Sequence, residues 1–136
     1  MVKGRKKKYI YAKGRRKEAT ATLRFYEGKG EFVVNGKPID KYFPGIRFQT
    51  LYQKPLVKGE CLGKFHGRFE IRGGGLKGQV GAAGLALARA LVKYNEKVYR
   101  PLMRQAGLLT VDARARERRK AGQMGRARKK KQSPKR

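Results

Sequence analysis

The last 23 residues, from Arg114 onward, hold twelve Lys or Arg and one acid, Glu117. From Arg100 to the end there is no Phe, Tyr, His or Trp. Such a segment has almost nothing to bury, and its like charges oppose collapse, so it takes itself out of any core. Residues 1–17 carry nine Lys or Arg and no acid, which makes the other end basic as well. Between them, residues 18–113 hold sixteen Lys or Arg against eight acids, together with most of the large apolar groups. In a chain of 136 residues that leaves room for one modest domain. We expect a basic N-terminal extension over 1–8, an α+β domain over 9–113 and an extended basic tail over 114–136.

Periodicity fills in the middle. ATATLRFY, residues 19–26, alternates, with Ala19, Ala21, Leu23 and Phe25 on one face and Thr20, Thr22, Arg24 and Tyr26 on the other. That is the pattern of a half-buried strand. EGKG and then EFVVN follow, so 19–35 reads as a β-hairpin closed by Gly28 and Gly30, with Asn35-Gly36 as the next turn. PIDKYF and IRFQTLYQ read as short helical pieces. FHGRFEIR is a second alternating run, with Phe65, Gly67, Phe69 and Ile71 on one face and His66, Arg68, Glu70 and Arg72 on the other. QVGAAGLALARALVKYN places Val80, Gly84, Leu87, Leu91 and Tyr94 at helical spacing, with Arg89 and Lys93 four apart on another face. Pro101 can open a further helix, Gly107 can end it, and LLTV offers a last strand. The fold class expected is therefore α+β: one compact domain in which helices lie on a mixed four-stranded sheet.

Several function classes lose support at this point. Gly73, Gly75 and Gly78 match the G-x-G-x-x-G spacing between a strand and a helix, but Glu96 follows the helix with little strand to carry it, as a dinucleotide site would need. The same glycines can form a tight turn or leave backbone amides open to an anion, with Lys77 beside them. His66 is the only histidine and falls on a polar strand face. Cys61 is the only cysteine, so there is no internal disulfide, and one Cys with one His cannot build a structural zinc site. The acids form no convincing pair. No enzyme activity, cofactor, metal or small-molecule substrate is expected. No run approaches the length of a membrane helix, and MVKGRKKKYIYAKG lacks the apolar stretch of a secretory signal, so a cytosolic or organelle-interior setting is expected.

A formal charge of +28 calls for a polyanion, and nucleic acid is the natural one. Without aromatic groups the tail must act mainly on phosphates. A free nucleoid or duplex-binding protein is the rival reading, although no recognition helix with base-reading side chains is evident.

GRRKEATA (14–21), GGGLKGQVGAAGLALARAL (73–91), RPLMRQAGLLTVDARARERRK (100–120) and the terminal Lys-Arg together resemble the family of the ninth small-subunit ribosomal protein, bacterial or organellar, over essentially residues 9–136. The resemblance implies a compact α+β fold with a left-handed β-α-β crossover, seated in the head of the small subunit on the 3′ major domain of the rRNA, beside neighbouring head proteins. It also implies a tail that runs through rRNA toward peptidyl-site tRNA. The ribosome would lie in the cytoplasm, or in stroma or matrix for an organellar member. Lys135 and Arg136 match the family's tRNA-contacting terminal pair. Arg126, Arg128, Lys129, Lys130 and Lys131 match its rRNA-threading stretch. We add Lys13, Arg15, Arg16 and Lys17, then Arg68, Arg72 and Lys77, then Arg114, Arg116, Arg118, Arg119 and Lys120 as rRNA-contact candidates. Ser133 and Pro134 depart from the family's usual aromatic before the terminal pair, and Pro134 favours an extended approach.

Overall fold

The computed structural model describes residues 8–130, so Lys131, Lys135, Arg136 and most of the N-terminal extension lie outside the described residues. The described chain runs β1 (Ile10–Arg16), β2 (Ala19–Glu27), β3 (Phe32–Val34), β4 (Lys37–Pro38), α1 (Ile39–Tyr42), α2 (Ile46–Lys58), β5 (Phe65–Arg72), α3 (Leu76–Tyr94) and α4 (Glu96–Gln105). The sheet has five strands rather than four, in the order β1-β2-β5-β3-β4. It is mixed: β3 and β5 are parallel, and the other neighbours antiparallel.

Both alternating runs are strands with the faces expected. Leu23, Phe25, Phe69 and Ile71 point into the core, while Arg24, Arg68, Glu70 and Arg72 point out. Their partners differ from expectation. β2 and β3 do not form a hairpin, because β5 inserts between them, pairing Leu23 with Phe69 on one side and Val34 with Phe69 on the other. Burying the Phe65–Ile71 face between two strands removes more apolar surface from water than leaving β5 at an edge. The hairpins that do form are local. β1 turns into β2 at Lys17-Glu18, and β3 into β4 at Asn35-Gly36. Asn35 also pins the sheet end, donating through Nδ2 to the Ile71 carbonyl at 2.9 Å and accepting the Ile71 N–H at 3.0 Å.

One face of the sheet is covered. The Ala-rich side of α3, with Ala82, Ala83, Ala86 and Ala90 fully buried, lies against β1 and β2. The approach is close enough that a methyl on Gly14 would stand 2.1 Å from the Ala82 carbonyl oxygen, so only glycine fits there. Helices α2 and α4 flank α3, and the core runs from Phe25 and Phe69 to Leu87, Leu91 and Met103. Cys61 is a buried small group whose thiol donates weakly to the Leu56 carbonyl.

Two further expectations are corrected. α4 begins at Glu96, so Pro101 lies inside it rather than opening it; the ring costs one helical hydrogen bond, and Arg100 pairs with Glu96 one turn away. Gly107 does follow its end, where the Gly107 and Leu108 N–H groups donate to the Arg104 and Met103 carbonyls. LLTV is not a strand. Leu108 and Leu109 pack on the core as irregular chain, and two carbonyls of the β1 edge, those of Tyr11 and Lys13, are already engaged by side chains of α3. Arg89 donates to the Lys13 carbonyl at 2.8 Å and Lys93 to the Tyr11 carbonyl at 2.6 Å.

Candidate nucleic-acid interface

The other face of the sheet is open, and its register arranges it as a grid. Tyr11 on β1 stands in the row of Arg24 on β2, which pairs with Arg68 on β5, which in turn pairs with Val33 on β3. The next row holds Lys13, Thr22 and Glu70, and the last holds Arg15, Thr20 and Arg72. At the other end, Tyr26 pairs with His66, and Tyr9 lies just before β1 with its ring 5.9 Å from that of Tyr26. This pattern follows from period two: Ala12 and Gly14 face in, so the residues on either side of them must face out.

Of the sequence-predicted contacts, Lys13, Arg15, Arg68 and Arg72 share this face. Lys17 sits in the turn after β1, and the first turn of α3 packs against it through Gly78, with exposed Lys77 next in sequence. Arg15, Lys17, Arg72 and Lys77 thus gather around the sheet end where the glycine loop opens α3. Among the described residues none of these four has a carboxylate within salt-bridge distance. The loop itself does not belong to a dinucleotide fold: after α3 the described chain passes into α4 and then irregular structure, with no second parallel strand to carry an acid.

Other candidates already have partners within the chain. Arg16 lies 2.6 Å from Asp112, and Arg114 binds the same carboxylate through Nε and a terminal nitrogen at 2.9 and 2.7 Å. The Arg114 hydrogen bonds, aided by the Arg16 charge, hold the Asp112 carboxyl well below the usual carboxylate range. Asp112 therefore ties the start of the tail to the end of β1. Farther on, Glu117 takes Arg128 at 2.9 Å and Lys120 at 3.7 Å, and the Arg128 bond lowers its pKa. Residues 106–130 contain no helix or strand. The segment is not uniformly extended, since the Lys120 N–H donates to the Arg126 carbonyl and the Arg126 N–H to the Gln123 carbonyl, closing a local turn. Arg116, Arg118, Arg119, Arg126, Lys129 and Lys130 are exposed along it.

Sequence reasoning missed Tyr9, Tyr11, Arg24 and Tyr26 as members of this surface. For Tyr9 and Tyr11 the signal was present in the alternation of YIYAKGR, but beyond Ile10 its inward residues are small and give a weak apolar stripe. Tyr26 and His66 stack, with ring centroids 5.3 Å apart and planes 15° from parallel. The His66 Nδ1 lies 3.2 Å from the Gly28 carbonyl, which fixes the ring as an N–H donor on that side. No group of three or more potential metal ligands occurs among the described residues.

An open basic sheet face joined to a basic tail is a surface suited to a polyanion. The family model for ribosomal protein S9/S16 matches residues 14–136. The small ribosomal subunit protein uS9 of Maridesulfovibrio salexigens is 46% identical over 119 residues, covering 88% of this chain and 91% of its own. Its counterpart in Methylacidiphilum infernorum is 49% identical over 116 residues, 85% of each chain. That of Porphyromonas gingivalis is 45% identical over 114 residues, 84% of this chain and 88% of its own. The chain belongs to the ribosomal protein S9/S16 family, in its bacterial type, and is a ribosomal protein rather than an enzyme.

Proposed function

We propose that the chain is a structural constituent of the small ribosomal subunit, in its head, holding 3′ major-domain rRNA with its folded domain and tail and touching peptidyl-site tRNA with its last residues. The observation that carries this reading is the near full-length match to small-subunit relatives. The described geometry supports it: helices cover one face of the sheet and leave the other to exposed cations. Arg15, Lys17, Arg72 and Lys77 would take phosphates at the sheet end, and Arg116, Arg118 and Arg119 would continue the track beyond the Asp112 anchor. The parallel β3–β5 connection through β4, α1 and α2 would be the family's left-handed crossover.

Lys135 and Arg136 would act on phosphates of the tRNA anticodon loop, retaining tRNA without reading its sequence. Arg126, Arg128 and Lys129–Lys131 would cross rRNA on the way, the turn held by Glu117 opening as phosphates replace that carboxylate. The ribosome sets the location, and the bacterial relatives favour the bacterial cytoplasm over an organelle. Removing residues 134–136 should weaken peptidyl-site tRNA binding in reconstituted subunits and leave incorporation of the protein intact. Unchanged tRNA affinity would overturn the role of the tip, and co-sedimentation with DNA instead of small subunits would overturn the whole reading.

A further inference from the structure

We infer that the open face of the sheet is a stacking platform for unpaired RNA nucleotides, with Tyr9 and Tyr11 as the rings that meet bases. This deepens the RNA-binding reading above and rests on it.

A surface built only to hold phosphates needs cations and small polar groups, as the row of Arg15, Thr20 and Arg72 provides. The opposite end of the same face is different. Tyr9 and Tyr11 are 48% and 46% exposed, on solvent-facing positions where a ring gains little from burial in the folded chain. Tyr9 is also braced. The Tyr9 ring leans on Tyr26, Tyr26 stacks on His66, and His66 is held by the Gly28 carbonyl, so the row is ordered before any ligand arrives. A preordered ring loses little side-chain entropy when a base settles on it.

Charge settles the kind of partner. Five cations, Lys13, Arg15, Arg24, Arg68 and Arg72, share the four rows with the rings. Glu70 offsets one of them, lying 3.3 Å from Arg24 in a pair where both side chains are about half exposed. Such a pair is weak and leaves the Arg24 guanidinium free to turn toward a phosphate. Rings interleaved with guanidinium groups on a sheet suit a strand whose bases are splayed out and whose backbone carries negative charge. A duplex keeps its base faces stacked inside, so it can use the cations but not the rings. An acidic protein segment would be drawn by the charge without needing ring faces.

The test compares the full chain with Y9A/Y11A and Y9F/Y11F, each checked for an unchanged thermal transition. Affinity is measured by fluorescence anisotropy for an unstructured oligoribonucleotide of about twelve nucleotides and for a duplex of equal length. The alanine variant should bind the single strand about tenfold or more less tightly and the duplex within about twofold of the parent; the phenylalanine variant should keep both affinities. Ultraviolet crosslinking of the single strand should map to the peptide bearing Tyr9 and Tyr11. Equal affinities for parent and alanine variant, or equal losses on single strand and duplex, would overturn the platform and leave the RNA-binding reading standing. Failure of the parent chain to bind either RNA at about 100 mM salt would instead overturn that reading first.

Discussion

The open sheet face and the tail that follows Val111 are both strongly basic, yet they hold their charge in different ways. On the sheet, hydrogen-bonded register fixes each cation relative to the next, and aromatic rings occupy the rows at one end. In the tail, backbone without helix or strand carries the cations, no ring accompanies them, and two carboxylates, Asp112 and Glu117, hold Arg114, Lys120 and Arg128 in place. The difference teaches that charge density alone does not define an interface. The sheet presents a shape set by strand register, whereas the tail is shaped only by a few carboxylate pairs and one local turn.

The largest expected effect breaks the folded side of the comparison. Gly14→Ala sets a methyl against the Ala82 carbonyl, which α3 cannot yield without parting from β1, and should cost about 3 kcal/mol. A calorimetric melt checks it, and a peptide of residues 114–136 should bind RNA regardless. Next comes the tail. Deleting those residues removes twelve cations and should flatten the dependence of log K for RNA on log salt by up to about 8, with the thermal transition little changed. A slope that stays put would mean the sheet carries the phosphate contacts alone.

Smaller effects sharpen the boundary between the two regions. Asp112→Ala should free the backbone after Val111, seen as loss of amide protection at Arg114, while Tm moves by no more than a few degrees. The pH dependence of the anchor has a definite sign. Its folded pKa lies below the unfolded value of about 3.9, so its contribution is complete above that value and fades as pH falls toward the folded one. A carboxyl titration by NMR should therefore find Asp112 still ionised at about pH 3. A midpoint in the ordinary Asp range would mean that Arg16 and Arg114 do not hold it.

Local pattern revealed the elements better than their partners. The faces of ATATLRFY and FHGRFEIR follow from alternation, because one side of each strand must be buried. That β5 would separate β2 from β3 does not follow from it, since parallel pairing across α1 and α2 depends on which apolar faces meet at long range. β1 was hard to see for a related reason: beyond Ile10 its inward residues are Ala12 and Gly14, which meet α3, and such small groups leave almost no hydrophobic signal. LLTV misled in the opposite direction, with strand-like residues of which only Leu108 and Leu109 pack on the core, individually. Of the candidate interface, the cations were legible singly. Their pairing with Asp112 and Glu117, and the rings beside them, required the fold.

The bonds from Arg89 and Lys93 to the Lys13 and Tyr11 carbonyls carry a consequence for the protein before it meets RNA. β1 is the sheet's long edge, and the other edge is the two-residue β4. An exposed edge of that length is a template on which a second copy can add its own strand, the first step toward aggregates. Here the outward Tyr11 and Lys13 carbonyls are already engaged, by cations that would repel the same cations on another copy. Strand addition by a second copy is therefore disfavoured at Tyr11 and Lys13, and the cations that disfavour it would still draw a polyanion.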